Sequence, residues 1–304
     1  MITVFGSINV DLVTRVEAHP RPGETIAGSD YRLIPGGKGA NQALAAARAG
    51  ARVRLIGAVG TDEFAGIALA ELGRGGIDLA GVARRAAPTG LALIVVDRQG
   101  ENTIVVASGA NGTVTAADAA GVGFGPGDTL LLQLEVPYGE GRKVATRARS
   151  AGARVVLSVA PFRPFTVEDA APASVLIMNE HEAASLAAHV GLAPGSDAEN
   201  AARLAERFGK TVIVTLGAEG AIAAEKDRLL KVPALPVTPI DTTGAGDSFA
   251  GVLAAMLDEG APLETAMAHA AAAGSLATTK EGAQPSFPMR AEIDGAVEAA
   301  RNSA

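Results

Sequence analysis

The sequence predicts an α/β protein whose mostly parallel central sheet carries helices on both faces, with a small β-sheet lid beside it. From Thr129 onward, short apolar strand patterns alternate with amphipathic helix patterns, the order that parallel sheets produce. A hairpin pattern interrupts this alternation, because two apolar runs flank the polar loop 97–101. At 304 residues we expect one domain over 1–304, with the lid formed from about 10–35 and 88–107.

The individual elements follow from apolar periodicity and from breaks at glycine and proline. Short buried strands are expected at 2–6, 53–59, 129–134, 154–159, 175–178, 211–216 and 221–224. Apolar residues at helical spacing predict helices that begin near Ala40 and Asn179 and that cover 62–73, 138–150, 198–208, 247–258, 262–278 and 290–300. We expect an irregular strand over 25–34 and the two hairpin strands at 89–96 and 102–107.

Composition limits the class of function. Lys and Arg number 26 against 33 Asp and Glu, a net charge of −7, and only 3% of residues are aromatic, so no nucleic-acid partner is expected. The absence of cysteine excludes disulfides, thiolate nucleophiles and cysteine-based zinc sites. The first residues form a strand pattern without the charged start of a signal peptide, and no apolar run approaches the ~18 residues of a membrane span. We therefore expect a cytoplasmic protein with no membrane partner.

The stretch 241–249, which reads DTTGAGDSF, is the strongest candidate for chemistry. Gly244, Ala245 and Gly246 keep bulky side chains out of the opening turn of the helix that follows. The first backbone N–H groups of that helix are then free to bind an anion such as phosphate, with the positive end of the helix dipole behind them. Asp247 would repel that anion, so anion binding alone does not explain an aspartate at this position. A role as the general base that accepts a proton would explain it. Helix capping would also explain an aspartate here, but capping does not require the cleared turn.

Two further polar sets favour a ligand site. Asn9 and Asp11 are two residues apart after a buried strand, so they point to the same side of an extended chain. Such pairs line ligand crevices in open α/β sheets, although an Asx turn would also explain them. Gly37, Lys38 and Asn41 open another helix and suit a ligand rich in hydroxyl groups; the alternative is a glycine-rich turn with a solvated lysine.

Familiar nucleotide and metal motifs are incomplete. The run 209–211 resembles the end of a phosphate-binding loop, but Leu204 occupies the place of the first glycine. The run 36–39 does not complete the dinucleotide fingerprint, and 181–185 lacks the second histidine of a zinc motif. These motifs are therefore not expected to carry the function.

A serine hydrolase is a closer alternative. Ser248 lies in a strand–turn–helix context that resembles a nucleophile elbow, and Asp258 and His269 follow in hydrolase order. However, Ala250 replaces the last glycine of that motif. Asp258 also shares a helix with Ser248 and could not reach across to a common histidine. This reading is disfavoured.

Nine short motifs in this order resemble the ribokinase family of PfkB-type carbohydrate kinases, from Gly6 to about Ile293. They are GSINVD at 6–11, PGET at 22–25, GGKGANQ at 36–42, GAN at 109–111, QLE at 133–135, NEHE at 179–182, TLG at 215–217, DTTGAGD at 241–247 and GAQPS at 282–286. The resemblance implies a ribokinase-like three-layer α/β/α fold. It also implies an ATP-dependent enzyme that phosphorylates the 5-hydroxyl of D-ribose to give ribose 5-phosphate and ADP.

The resemblance also implies a role for each matched residue. Asp247 would be the general base, and Gly244, Ala245 and Gly246 the anion hole. The sugar would be held by Asn9, Asp11, Gly37, Lys38, Asn41 and Glu135, under apolar lid contacts from Ala92 and Val106. The nucleotide would contact Asn179, Thr215, Gly217, Ala218, Glu219, Gly220, Gly246 and Ala271. Glu182 would organise Mg²⁺ through water, and a monovalent cation such as K⁺ would lie at Asp241, Thr243, Ala277, Lys280, Gly282 and Ser286.

Some of these residues have a second interpretation, and some positions depart from the family pattern. Asn179 and Glu182 are spaced as a helix capping box, and Ser286 also suits a plain turn. Ser158, Ala271 and Ser108 stand where relatives usually carry other residues. Alternative substrates are therefore another pentose, a deoxysugar or a nucleoside, and an inactive sugar-sensing protein is a further alternative. Because exposed edges of small sheets tend to pair, we expect a homodimer joined through the lid sheets.

Overall fold

The computed structural model describes residues 1–226 and 228–302. Its strands are β1 Ile2–Phe5, β2 Asn9–Arg15, β3 Arg32–Gly36, β4 Val53–Val59, β5 Val82–Arg84, β6 Gly90–Val96, β7 Asn102–Ala107, β8 Thr129–Leu132, β9 Arg154–Ser158, β10 Val175–Asn179, β11 Thr211–Thr215, β12 Ala221–Glu225 and β13 Arg228–Val232. Its α-helices are α1 Lys38–Arg48, α2 Phe64–Arg74, α3 Tyr138–Ser150, α4 Val167–Ala170, α5 Glu180–His189, α6 Asp197–Phe208, α7 Ala245–Asp258, α8 Leu263–Ala277 and α9 Arg290–Asn302.

The large sheet has nine strands in the order β13-β12-β11-β10-β9-β8-β1-β4-β5. The strands from β11 to β5 in this order are parallel, whereas β12 and β13 are antiparallel additions at one edge. The carboxyl ends of the parallel strands therefore meet at a single edge of the sheet, which is where open α/β sheets bind ligands. The predicted α/β fold class, with a mostly parallel sheet and a separate lid, is confirmed.

Two apolar layers cover the sheet. Side chains of α1, α2, α7, α8 and α9 pack on one face, where Leu253 and Met267 are fully buried. Side chains of α3 to α6 pack on the other face, around Phe165 and Leu204. On the first face α7 approaches α1 closely, because a Cβ on Gly251 would lie only 2.5 Å from the main-chain oxygen of Gln42. This contact holds the start of α7 beside the start of α1, and both starts carry candidate functional residues.

The lid is a four-stranded sheet in the order β3-β2-β6-β7. Asp11, Ala92 and Val106 are direct partners across β2, β6 and β7, so their side chains share one face of the lid. Every residue of the edge strand β7 is exposed, including Ile104, Val105 and Val106. The lid thus combines a face that can close on a ligand with an unpaired apolar edge.

Several element boundaries differ from the sequence expectation. Within 25–34 only the last residues are strand, since β3 begins at Arg32, and the strands β5 and β13 were not anticipated. The helices α1 and α7 begin two residues earlier than expected, because Gly37 and Gly244 take positive φ values of 88° and 78° as their N-caps. In the described part of the chain, none of the helices has the length and apolar character needed to cross a bilayer.

Candidate active site

Asp247 lies in the first turn of α7 and is only 9% exposed. Both of its carboxylate oxygens accept a hydrogen bond from a side-chain amide, one from Asn41 Nδ2 and one from Gln42 Nε2, each at 2.9 Å. Its side chain does not cap the helix, because the N-cap residue is Gly244 and has no side chain. Capping therefore does not explain this aspartate, and its carboxylate is directed at α1.

The N-terminus of α7 presents unpaired backbone groups beside this carboxylate. The first hydrogen bond of the helix runs from Ser248 N–H to the oxygen of Gly244, and Ala245 N–H donates to Thr242 at 3.2 Å. The N–H groups of Gly246 and Asp247 have no acceptor earlier in the helix, as is usual in a first turn. Gly244 must be small as well as left-handed, because its Cβ would come within 2.8 Å of Ala283. This turn can bind an anion.

Lys38 is surrounded by four carboxylates, which together form a carboxylate cluster: Asp247, Glu135, Glu182 and Asp11. Burial lowers the pKa of Lys38, but Asp247, Glu135, Glu182 and Asp11 act in the opposite direction and the net pKa is raised. For Asp247, burial outweighs the opposing effects of Lys38 and the two amide hydrogen bonds, and the net pKa is raised. Lys38 is therefore a firmly protonated centre that favours the ionised form of Asp247.

Glu135 is fixed by Ser7, which follows β1, and by the first residue of α1. Its Oε2 accepts hydrogen bonds from Ser7 Oγ at 2.5 Å and from the Lys38 main-chain N–H at 3.0 Å. Ser7 Oγ in turn accepts from Gly39 N–H at 3.2 Å. The sequence reasoning missed Ser7 as a site residue, although it lies within the GSINVD motif. Its hydroxyl sets the orientation of Glu135 at the sheet edge.

Asn9 is oriented in a similar way by Asn111, which belongs to the GAN motif. Asn111 Nδ2 donates to Asn9 Oδ1 at 2.7 Å, and Asn111 Oδ1 accepts from Ile8 N–H at 2.9 Å. Both asparagine side chains are buried, at 4% and 2% exposure. Gly37 packs against this turn, since its Cβ would lie 2.7 Å from the nitrogen of Asn9. The GAN motif thus supports the GSINVD motif directly.

Asp11 lies on lid strand β2, where burial, reinforced by Glu135 and Asp247, raises its pKa to about 7. Gly36 makes room for it, because a Cβ there would lie 2.5 Å from the Asp11 carboxylate. A carboxyl whose pKa rises on folding contributes stability that is present below its unfolded value of 3.8 and is lost as the pH rises through about 7.

We therefore predict that Asp11→Asn raises the melting temperature of the ligand-free protein at pH 8.5 by several degrees. Near pH 5 the gain should be smaller, because the folded carboxyl is still protonated there, and it should vanish only below about 3.8, where the carboxyl of the unfolded chain is protonated as well. Scanning fluorimetry across this pH range measures the effect, with the exposed Asp30→Asn as the control. A gain that is the same at both pH values would contradict the prediction.

An apolar cavity of about 230 Å³ lies between the end of β11 and the helices α7 and α8. Its lining includes six of the residues expected to contact a nucleotide: Thr215, Gly217, Ala218, Gly220, Gly246 and Ala271. Glu219 does not line it, because its side chain points outward to an exposed ion pair with Lys231 at 3.4 Å. Sequence reasoning missed the opposite wall, which includes Leu235, Val237 and Pro239. This slot suits a flat apolar group.

A second cavity of about 220 Å³, lined by polar groups, adjoins the first and shares Thr215 and Gly246 with it. Lys38, Ser158 and Asp247 also line this space. It therefore joins the apolar slot to the carboxylate cluster under the lid. Ser158, which departs from the family pattern, lies directly on this path.

Asn179 and Glu182 belong to this second cavity and also form the capping box that their spacing allows. Glu182 Oε2 accepts from Asn179 N–H at 2.9 Å, and Asn179 Oδ1 accepts from Glu182 N–H at 2.8 Å. Burial raises the pKa of Glu182. Asn179 and Glu182 therefore cap α5 and also line the polar cavity.

Asp241, Thr243 and Gly282, three of the residues expected around a monovalent cation, are joined by hydrogen bonds in the turn that leads into α7. Asp241 accepts hydrogen bonds from the N–H groups of Thr243 and Gly282, each at 2.9 Å, and despite the opposing effect of burial these contacts lower its pKa. The Ser286 hydroxyl donates a hydrogen bond to the main-chain oxygen of Ala283 at 2.8 Å. Within the described residues, the main-chain oxygens of Thr243, Ala277, Lys280 and Gly282 accept no hydrogen bond. Such a set of carbonyl oxygens fits a weakly hydrated cation.

The nucleophile-elbow alternative fails on geometry. Ser248 is fully buried, and its hydroxyl donates to the main-chain oxygen of Ala273 at 3.1 Å. The His269 ring contacts the main-chain oxygen of Thr265, one turn earlier in α8, and the Asp294 carboxylate on α9, and no contact with Ser248 or Asp258 is found among the described residues. No serine hydrolase arrangement forms at this turn.

Comparison with known proteins agrees with this geometry. Residues 1–290 match the model of the pfkB family carbohydrate kinases. The chain is 37% identical to the ribokinase of Haemophilus influenzae over 96% of both chains. It superposes on the crystal structure of ribokinase from Thermotoga maritima with a TM-score of 0.88 and 32% identity, covering 98% of this chain and 99% of the other. It superposes on Arabidopsis thaliana ribokinase in complex with ribose and ATP with a TM-score of 0.87 and 29% identity, covering 98% of both chains. The chain belongs to the pfkB family of carbohydrate kinases.

Proposed function

We propose that the protein transfers the terminal phosphoryl group of ATP to the 5-hydroxyl of D-ribose. The observation that carries this proposal is the position of Asp247, at a helix N-terminus between the carboxylate cluster under the lid and the apolar slot beside α8. A hydroxyl held on one side and a triphosphate on the other would meet at this residue. The Arabidopsis relative, which holds ribose and ATP in a nearly identical fold, supports the same pair of ligands.

Asp247 is the proposed general base, and the open N–H groups at the start of α7 stabilise the charge of the migrating phosphoryl group. Lys38 lies at the same cavity and neutralises charge along the phosphate path. The other sugar contacts are proposed for Asn9, Asp11, Gly37, Asn41 and Glu135, with Ala92 and Val106 closing from the lid. Closure excludes water, so that transfer to the sugar outcompetes hydrolysis of ATP.

The apolar slot is the proposed adenine site, with Ala271 on one wall and the turn 217–220 on another. Glu182 is the proposed anchor for the water shell of the Mg²⁺ that ATP carries, because Mg²⁺ favours one or two carboxylates and retained waters over a protein cage. The free carbonyls around Asp241 are the proposed site for K⁺, which would hold the turn before α7 in its anion-binding shape when bound.

The test is an assay of ADP release over ribose, other pentoses, deoxyribose and nucleosides, run in K⁺ and again in Na⁺. We expect ribose to give the highest kcat/KM, a product whose ³¹P spectrum shows a 5-phosphate, and faster turnover in K⁺. A nucleoside or deoxyribose preferred over ribose would overturn the substrate assignment. Ribose binding without ATP consumption would instead indicate a sugar-sensing protein.

We also propose a homodimer joined through the lids. The edge strand β7 exposes Ile104, Val105 and Val106 to between 50% and 59%, and Leu93 beside Val105 is 41% exposed. An apolar unpaired edge of this kind favours pairing with a second copy. The dimer would cover this apolar surface and stiffen a sheet that each protomer needs for closure.

Val105→Lys should therefore convert the dimer to a monomer, because a charge buried at a sheet edge without a partner is strongly unfavourable. Light scattering on a size-exclusion column measures the mass. Leu229→Lys is the matched control, since Leu229 is 54% exposed on β13 at the edge of the other sheet. The proposal fails if the wild-type protein is monomeric, or if both variants remain dimeric.

A further inference from the structure

A chain of buried amide side chains stands behind the carboxylate of Asp247. Asn41 and Gln42 each donate to one carboxylate oxygen at 2.9 Å. Gln133 Nε2 then donates to Gln42 Oε1 at 2.6 Å, and Gln284 Nε2 donates to Asn41 Oδ1 at 3.1 Å. The four amide side chains are at most 6% exposed. Asp247 is thus held by two arms of two amides each: Gln42 with Gln133, and Asn41 with Gln284.

The direction of every hydrogen bond in these arms is set by the carboxylate. An ionised carboxylate can only accept, so Asn41 and Gln42 must turn their NH₂ groups toward Asp247. Their carbonyl oxygens then face away and need donors, which Gln284 and Gln133 supply. The arms are therefore polarised toward the charge, an arrangement that strengthens each successive bond in a region of low dielectric.

The outer ends of the arms show that this orientation is maintained against a cost. The carbonyl oxygens Gln133 Oε1 and Gln284 Oε1 are buried and lack any hydrogen-bond partner among the described residues. A Cβ on Gly6 would collide with Gln133 Oε1 and with the Cα of Gly39, so that oxygen packs directly against the main chain after β1. Buried unpaired carbonyls disfavour folding. Apolar side chains of similar length would avoid this cost, so folding alone does not explain the two glutamines.

We infer that Gln133 and Gln284 are positioning residues for the base: acting through Gln42 and Asn41, they fix the carboxylate plane of Asp247 and favour its ionised form. Neither glutamine lines the apolar slot or the polar cavity beside it. Gln133 follows β8, while Gln284 lies in the turn that carries Gly282 and Ser286 and is held there by Arg48, which donates to its main-chain oxygen at 2.7 Å. The role of Asp247 as base rests on the proposed function.

Loss of an arm should raise the pKa of Asp247. Burial raises the pKa of Asp247, and the amide hydrogen bonds from Asn41 and Gln42 oppose that rise. Weakening either arm lets the inner amide turn away from the carboxylate, so the pKa of the base rises further. The other charged groups that face Asp247 are Lys38 on α1, Glu135 after β8, Asp11 on β2 and Glu182 on α5. These four groups are left in place by substitutions at Gln133 and Gln284.

The test uses Gln133→Met and Gln284→Met, which keep side-chain length and remove the donor. We expect the acidic limb of the kcat/KM profile for ribose to move up by about one pH unit, a tenfold loss at low pH that recovers toward pH 9. For Gln133→Met the KM for ribose should change by less than about threefold, because Gln133 acts through Gln42, which is not among the proposed sugar contacts. Asn200→Leu is the control, as Asn200 is a buried amide on α6, and it should leave the limb unmoved.

A readout without turnover separates this inference from the proposed function. The carboxyl ¹³C signal of Asp247, assigned by its loss in Asp247→Asn, reports the pKa of the base in the ligand-free protein. A raised pKa in either methionine variant supports the inference even if ribose proves not to be the substrate. An unshifted pKa and an unshifted limb in a folded variant overturn it, even if the wild type phosphorylates ribose. The two arms are separate, so one variant that folds is enough for the decision.

Discussion

Asp247→Asn should lower kcat for ribose phosphorylation by about 10²–10⁴-fold, the usual contribution of a positioned general base. The amide cannot accept the proton of the sugar hydroxyl, but it keeps the size of the carboxylate, so ribose should bind within about threefold of its wild-type Kd. Stopped-flow or coupled-assay kinetics measure the first quantity, and titration calorimetry with ribose measures the second.

Asp258→Asn is the matched control, because Asp258 ends the same helix and contacts the N-terminal amino group instead of the cavity. It should retain wild-type kcat even if it loses some thermal stability. Turnover in Asp247→Asn within a few fold of wild type would remove this carboxylate from the mechanism. Equal losses in both variants would instead indicate a general effect on α7.

Lys38→Met should lower kcat/KM by about 10²–10³-fold, as expected when one charged group that stabilises a transition state is removed. Lys38 is the cation that Asp247, Glu135, Glu182 and Asp11 share. Without it, the phosphate path loses its positive charge, and the pKa of Asp247 rises because Lys38 no longer favours the ionised form. The activity that remains should therefore increase with pH more steeply than in the wild type.

Initial rates measured from pH 6 to pH 9 test this expectation. Lys143→Met is the matched control, since Lys143 is 65% exposed on α3 and pairs with Glu140. A Lys38→Met variant with normal kcat/KM would exclude Lys38 from the phosphate path. A loss with an unchanged pH profile would show that Lys38 acts on binding alone and not on the ionisation of the base.

Much of the fold could be predicted because local patterns and tertiary packing agree. The buried strands from β8 to β11 are short apolar runs, and β8 and β10 are each followed by a helix that packs on the sheet. The prediction was weaker where context decides the structure. The strand β13 reads RLLKV, with no alternation to mark it, and it forms only because β12 offers an antiparallel edge. Within 25–34, pairing with β2 is available only to the last few residues.

The site was predictable where a residue type carries chemistry on its own. The sequence indicated Asp247, Lys38 and the glycine turn, because charged side chains beside glycines at the start of a helix are typical of a ligand site. Gln42, Gln133 and Gln284 did not, because an amide in a sequence gives no sign that it is buried or which group it faces. Glu219 was expected at the nucleotide, but its side chain pairs with Lys231 at the surface. Such directions depend on the fold and not on spacing.

The central claim is that the start of α7 binds the migrating phosphoryl group while Asp247 accepts the proton of the sugar hydroxyl. A crystal structure with ribose and a non-hydrolysable ATP analogue measures this directly. We predict that the 5-oxygen lies within about 3 Å of an Asp247 carboxylate oxygen, and that the terminal phosphate contacts the N–H groups at the start of α7. A sugar whose 5-oxygen points away from Asp247, or a terminal phosphate bound elsewhere, would contradict the account.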